Sequence, residues 1–328
     1  DLFKKERGIA ANEITGVIGI TPTLLEELLK ISGPITVNGE EFNAGNFTEK
    51  LEYEVEFGFA EDGLDFEQRK KILADLTHAL LDRIKGDMIK HWSQYLALSQ
   101  RMFLEKHILA YSLDPEVETI IQARDWGGAM KDKGADYLLW VDANLASLKT
   151  DKVIHRELSY TITASTSGAY VGTVAMKYVN NGSFTKFTSR YRTYARLYLP
   201  LGSKFISLVG SMKAEKSTEP GVVDQGVENG RQWFGTFISI EPQRTGELRW
   251  QFYLAPEVAT RIKNNAYNLL VQKQLGTLAH TLTLDLNFGK KIASASPGEQ
   301  QKNLGDLKYT MQTNLQVDKE FYVEFSDL

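Results

Sequence analysis

The chain has 328 residues, of which 42% are hydrophobic and 24% charged, a balance that is typical of globular proteins and excludes long disordered stretches. Single hydrophobic cores stop growing at roughly 250 to 300 residues, so this length predicts two domains. The formal net charge of -4 gives no overall positive field for nucleic acid, and the absence of cysteine excludes disulfides and thiolate metal sites.

The first part of the chain is predicted to be rich in helices. A short strand ends at Ile20, and Thr21 and Pro22 then begin a helix as N-cap and first helical residue. Apolar residues at helical spacing predict further helices, with the stripes Phe47, Leu51 and Val55, then Ile72, Leu76, Leu80 and Ile84 up to a stop at Gly86, then Ile89, Trp92, Leu96 and Phe103, and last Val117, Ile120 and Ile121. We expect this helical part to end between Ala123 and Asp136.

The rest of the chain is predicted to form strands. Apolar and polar residues alternate there with a period of two, as in strands that bury one face. The predicted strands are 137–145, 153–164, 170–179, 190–199, 232–240, 247–254, 267–274, 281–287 and 319–325. The expected fold class is therefore α+β, with a partial α/β, helix-rich domain over residues 1–132 and an all-β antiparallel sandwich over residues 133–328.

The histidines do not predict a metal site. They lack the close His and carboxylate spacings that place several ligands on one helix face, and we expect most of them to be ordinary surface or boundary residues. They are His78, His91, His107, His155 and His280. His155 and Glu157 share a strand face, but two ligands do not complete a metal site, so no metal and no cofactor is expected.

One face of the strand at 190–199 carries the candidate ligand-binding residues. Alternation places Arg190, Arg192, Tyr194, Arg196 and Tyr198 on this face. Arginine forks match oxyanions and aromatic rings offer flat apolar area, so the face could hold phosphates or stack on sugars. The alternative is a solvated face whose arginines pair with glutamates on neighbouring strands.

Four stretches together resemble a known bacterial family. They are Thr-Gly-Val-Ile-Gly-Ile-Thr-Pro at 15–22 with Ser-Gly-Pro-Ile at 32–35, Asp-Tyr-Leu at 136–138 and on to Asn144, the stretch 191–203, and Gln-Lys-Gln-Leu-Gly-Thr at 272–277. The family is known as domain of unknown function 4012, and its members look like envelope proteins with a transmembrane anchor and an extracytoplasmic body. The resemblance implies a noncatalytic cell-surface module that contacts partners or a cell-wall glycopolymer. It also implies that membrane attachment comes through an anchor absent from this chain.

The first part is similar, more distantly, to LytR-CpsA-Psr phosphotransferases, which attach glycopolymers from polyprenyl pyrophosphate carriers to peptidoglycan. Asp65 and Arg69 stand where that family's helix motif, which serves the pyrophosphate and magnesium, would fall. Upstream, Glu52, Glu54 and Glu56 replace arginines of that family and would repel pyrophosphate. An active phosphotransferase using Mg²⁺ is therefore the alternative function, and a noncatalytic module is the leading expectation.

The first strand predicts association. The resemblance implies that the neighbours of the strand at 13–20 come from an upstream segment, which would leave its N–H and C=O groups without a partner in this chain. An apolar edge of this kind favours pairing with an upstream segment or a second copy. We therefore expect a homo-oligomer or a two-piece protein with Thr15, Val17 and Gly19 near the contact. The alternative is a short edge covered by its own helices.

Overall fold

A computed structural model describes residues 13–59, 63, 65–66, 71–133, 135–165, 168–299 and 305–326. Within these residues the chain forms two compact units. The first comprises the described residues up to Ala129 together with Leu275–Thr277, and the second comprises Met130–Gln274 and continues from Leu278. Helices and extensive sheets are both present, so the fold is broadly α+β. The division after residue 132 stays a prediction.

The α-helices of the described residues are α1 (Pro22–Ser32), α2 (Phe47–Tyr53), α3 (Lys71–Leu104), α4 (Pro115–Ala123) and α5 (Pro256–Lys263). The strands of the first unit are β1 (Gly16–Ile20), β2 (Ile35–Val37), β3 (Glu40–Phe42) and β4 (Ile108–Ser112). Those of the second unit are β5 (Asp136–Asn144), β6 (Ile154–Ala164), β7 (Tyr170–Asn180), β8 (Tyr191–Pro200), β9 (Lys204–Val209), β10 (Asp224–Glu228), β11 (Arg231–Ile240), β12 (Thr245–Tyr253), β13 (Ala266–Gln272), β14 (Thr281–Asn287), β15 (Ile292–Ser296), β16 (Lys308–Asn314) and β17 (Lys319–Phe325).

The first unit is built from α1 to α4 and two small sheets. Pro22 begins α1, and Gly33 follows its end with a φ of 79°, a left-handed conformation that glycine adopts without strain. Strands β2 and β3 form a hairpin whose turn residues Asn38 and Gly39 both have positive φ. The apolar stripes of α1 and α3 meet in one core with Phe42 and Phe47.

Helix α3 differs from the prediction. Gly86 does not end it, because one glycine costs a helix only about 1 kcal/mol. The helix continues to Leu104, with non-helical backbone angles at His91. The predicted stripe of Ile89, Trp92 and Leu96 is exposed, while the buried residues of this part are Tyr95, Leu98 and Met102. Both sets recur at helical spacing, so the period alone did not decide which faces the core. None of the helices described here is long and apolar enough to span a bilayer.

Two sheets dominate the described part of the second unit. A seven-stranded sheet has the order β10-β11-β8-β5-β13-β17-β15, and a six-stranded sheet has the order β16-β14-β6-β7-β12-β9. Side chains from both sheets form one hydrophobic core, for example Leu197 and Phe234 from the first sheet and Val174 and Trp250 from the second. In these strand orders β5 is the middle strand of the first sheet, and β6 is one of the two middle strands of the second.

The prediction of purely antiparallel strands is wrong in two respects. Strand β5 pairs in parallel with β13, and β6 pairs in parallel with β14. Alternation fixes which face of a strand is buried, but not the direction of its neighbour. Helix α5 also interrupts the strands. Its sequence carries helix signals, since Pro256 occupies the first turn and the buried Val258 and Ile262 are four residues apart.

Candidate functional site

The five candidate residues of the 190–199 stretch lie on one face, as predicted. Arg190 directly precedes β8, and Arg192, Tyr194, Arg196 and Tyr198 alternate along it. The residues between them are buried. Tyr198 is buried as well, while the other four are partly exposed.

Each arginine of this face is paired with a carboxylate. The pairs are Arg190 with Glu215 and Glu241, Arg192 with Glu215, and Arg196 with Glu228. The hydrogen bond from Arg192 is the main cause that holds the pKa of Glu215 below its ordinary value. The hydroxyl of Tyr194 donates to a further carboxylate, Asp224, at 2.5 Å. The face thus has three guanidinium groups and four carboxylates. This face therefore carries no surplus positive charge for a phosphate.

Two aromatic rings lie against glycines beside these ion pairs. A Cβ atom at Gly226 would come within 2.9 to 3.0 Å of three atoms of the Trp233 indole, and one at Gly235 within 2.5 to 2.9 Å of the Tyr194 ring. The Arg196 guanidinium lies 4.3 Å from the centroid of the Trp233 ring. We call Tyr194, Arg196 and Trp233 the aromatic platform. The sequence did not point to Trp233, because nothing in it shows that β11 pairs with β8.

The candidates for the phosphotransferase alternative are only partly described. Asp65 is exposed, and Arg69 lies outside the described residues. The structure therefore does not bring this pair together or separate it, and the role of both residues stays a prediction.

Strand β1 is not without a partner, which corrects one premise of the association prediction. All five of its residues pair with β4, and the carbonyl of Thr15 accepts a hydrogen bond from Leu113 at 2.7 Å. The sequence prediction missed β4, so it left β1 unpaired. Val17 and Ile18 are nevertheless exposed, and β4 is the only strand paired with β1 in the described part of the chain.

A buried polar cluster joins the two large sheets at one end of β5. Asp142 of β5 accepts hydrogen bonds from Arg156 Nε of β6 at 3.0 Å and from the Tyr178 hydroxyl of β7 at 2.7 Å. Arg156 also donates from Nη2 to the Tyr191 hydroxyl at 2.7 Å and to Asp151 at 2.5 Å. Burial lowers the pKa of Arg156, but the charges of Asp142 and its other neighbours outweigh burial and hold the pKa well above the ordinary value.

The other end of β5 carries a buried carboxyl group of a different kind. Asp136 accepts hydrogen bonds from the hydroxyls of Tyr160 at 2.7 Å and Tyr267 at 2.6 Å. It is fully buried, and burial raises its pKa to about 6 although these hydrogen bonds lower it. The three residues come from β5, β6 and β13, so this cluster also spans both sheets.

His280 lines a cavity of about 300 Å³ beside the Asp142 cluster. Thr281 pairs with Glu157 in the parallel ladder of β14 and β6, so His280 lies next to Arg156. The histidine is 6% exposed, and neither ring nitrogen has a hydrogen-bond partner among the described residues. His280 is therefore not one of the surface or boundary histidines.

The surroundings of His280 keep its ring neutral. Burial is the main cause that lowers its pKa to about 4, and the charges of Arg156, Lys273 and His155 lower it further. No sequence signal pointed to this site, because a single histidine in a loop has no periodic pattern.

The described residues contain no group of three or more histidines, aspartates and glutamates that could hold a metal ion. His155 and Glu157 do approach each other, with 3.6 Å between Nε2 and Oε1. Glu157 also pairs with Lys177 at 3.2 Å across β6 and β7. This group is therefore a partly exposed ion-pair cluster.

No protein-family model matches the chain, and no curated protein matches it in sequence. Similar solved structures include a protein named for nutrient binding from Legionella pneumophila, with 6% identity and a TM-score of 0.31 over 58% of this chain and 71% of that one. Another is an M1 zinc metallopeptidase from Deinococcus radiodurans, with 15% identity and a TM-score of 0.26 over 55% of this chain and 43% of that one. At these TM-scores neither likeness carries an argument about fold or function.

Proposed function

We propose that this chain belongs to an extracytoplasmic bacterial cell-envelope protein whose second unit is a β-sandwich that binds a cell-wall glycopolymer without transforming it. The resemblance of its four stretches to the envelope family supports the location. The common core of the two large sheets supports the sandwich. Binding by this module requires no cofactor, and Mg²⁺ enters only under the phosphotransferase alternative.

The observation that carries the proposal is the aromatic platform. Because Gly226 and Gly235 have no side chains, the rings of Trp233 and Tyr194 lie close against the sheet. Flat aromatic surface on a rigid sheet costs little conformational entropy when a ligand binds. Sugar rings present apolar C–H faces, so they can stack on such a surface.

The charges around the platform favour a neutral polymer. Sugar hydroxyls need both donors and acceptors, and the platform is bordered by Asp224 and Glu228 as acceptors and by the Arg196 guanidinium as a donor. The arginines of the face are already neutralised by glutamates. A polyanion would therefore meet as much repulsion as attraction.

Glycan binding by substituted proteins tests this proposal. We expect the full chain to bind an immobilised neutral oligosaccharide more tightly than a poly(glycerol phosphate) of equal length. Trp233→Ala should weaken that binding at least tenfold, about 1.4 kcal/mol. Tyr322→Ala is the matched control, because it removes an exposed ring from β17 of the same sheet. Equal losses in both variants, or a preference for the polyanion, would contradict the proposal.

Self-association through β1 is a second part of the proposal. Exposed Val17 and Ile18 support it, together with the pairing of β1 with a single described strand. A further strand on the second edge of β1 would bind through backbone hydrogen bonds that proline cannot donate. Light scattering should give the mass of an oligomer for the native chain and a smaller mass for Ile18→Pro, because the N–H of Ile18 lies on the edge away from β4, whereas the carbonyl of Thr15 and the N–H of Thr21 bond on the β4 side. A native chain that is monomeric at high concentration would end this part of the proposal.

A further inference from the structure

The cavity at His280 has the features of a ligand site and is independent of the aromatic platform. Buried side-chain polar groups in proteins almost always have hydrogen-bond partners, because an unpaired one costs about 1 to 3 kcal/mol. Both ring nitrogens of His280 lack a partner among the described residues, and the ring lines a cavity of about 300 Å³. A ligand that reaches the ring would satisfy it.

The charged groups around the cavity indicate the chemistry of this ligand. Arg156 of β6 lines the cavity, and the charges of Arg156, Lys273 and His155 each lower the pKa of His280. Arg156 is held by Asp142 and Asp151, and His155 lies near Glu157. The carboxylates do not raise the pKa of His280, because every charge that shifts this pKa lowers it.

A lysine lies at the mouth of the cavity. Lys152 is exposed, lines the cavity and has no ion pair within the described ranges. The exposed amide of Asn181 lines it as well and offers N–H donors. Donors and positive charge therefore converge on a space that is large enough for a small molecule.

We propose that this cavity binds a small oxyanion, a carboxylate or phosphate group, with the imidazole of His280 as a buried hydrogen-bond donor and Lys152 and Asn181 at the mouth. An anion beside the ring favours its protonated form, in which both nitrogens donate. Binding is consequently linked to proton uptake at mildly acidic pH. A cation would be repelled by the same charges, and an apolar ligand would leave the ring unpaired.

Nuclear magnetic resonance of the histidine side chains tests the proposal on the native full chain. Titration from pH 7.5 to 3.5 is carried out in chloride alone, and then with phosphate or acetate at equal ionic strength. An anion within about 4 to 6 Å should raise the pKa of His280 by about one to three units. The signal is assigned by its loss in His280→Gln. Comparison of phosphate with acetate shows which oxyanion the cavity prefers.

Two controls separate binding from general charge screening. His78 on α3 lies in the first unit, and its ring signals at any one pH should be the same in all three salts. Lys152→Met removes an exposed charge and should lower the affinity for the oxyanion several-fold, while the spectrum of the core residues stays that of the native protein. If the pKa of His280 is the same in chloride, phosphate and acetate, the cavity holds only water and the proposal is wrong. This result would leave glycan binding by the platform unaffected.

Discussion

The Asp142 cluster and the His280 cavity are neighbours that share Arg156, yet they differ in how their polar groups are satisfied. In the cluster, Asp142 and Arg156 make several short hydrogen bonds to each other and to tyrosines. In the cavity, His280 makes no side-chain hydrogen bond within the described residues. A satisfied buried network makes the structure rigid, whereas an unsatisfied buried group is available to a ligand. The difference separates a group that stabilises the fold from one that can bind.

The largest expected effect comes from breaking the cluster. Arg156→Met leaves the buried Asp142 carboxylate without its cation, and removal of one partner of a buried pair costs about 3 to 5 kcal/mol. Urea unfolding should show this loss of free energy of unfolding. Arg249→Met is the matched control, because Arg249 pairs with Glu247 on the exposed side of β12 and such pairs contribute about 0 to 1 kcal/mol. Equal losses would mean that the cluster adds no stability of its own.

A smaller effect is expected from the pH dependence of His280. Its pKa of about 4 in the folded protein lies below the ordinary value of 6.5, so the unfolded chain binds more protons between these values. The stability contributed by the neutral ring is present above pH 6.5 and is lost as pH falls towards 4. Between pH 7 and 5 the loss should be about 2 kcal/mol, measured by urea unfolding without phosphate or carboxylate. His280→Gln should lose this dependence.

Asp136 provides the control of opposite sign for that measurement. Its pKa is raised to about 6, so the folded protein binds more protons than the unfolded chain above the ordinary value of 3.8. Its contribution to stability is present at low pH and is lost as pH rises through 6. Asp136→Asn should therefore increase the net loss of stability between pH 7 and 5 by about 1 kcal/mol. A change in the same direction for both variants would contradict the assigned pKa directions.

The strands that could be predicted from the sequence are those with one buried face. Strands β6 and β7 alternate between buried and less buried residues along their length, and the predicted ranges 153–164 and 170–179 agree with the observed bounds to within a residue. Strands β9 and β10 were missed because most of their residues are exposed, so neither shows such alternation. The alternation of apolar and polar residues therefore predicts only those strands that bury one face in the core.

The candidate site was predictable only in part, for a related reason. Alternation within one strand placed Arg190 to Tyr198 on a single face, which the structure shows. The partners of that face come from β10, β11 and loops distant in sequence. The alternation within a strand does not show which other strand it pairs with. His280 became identifiable only when the parallel pairing of β14 with β6 placed it beside Arg156.

The inclusion of Leu275–Thr277 in the first unit has a consequence for the order of synthesis. The N–H of Gly276 donates to the carbonyl of Lys106 at 3.0 Å, and Leu275 packs at Gly128. The ribosome must add roughly 150 residues after Ala129 before this contact can form, which takes about 7 to 30 s at roughly 5 to 20 residues per second. The first unit therefore remains open at Gly128 while the strands of the second unit are being made. A nascent chain that stalls before residue 277 would present that apolar opening to chaperones.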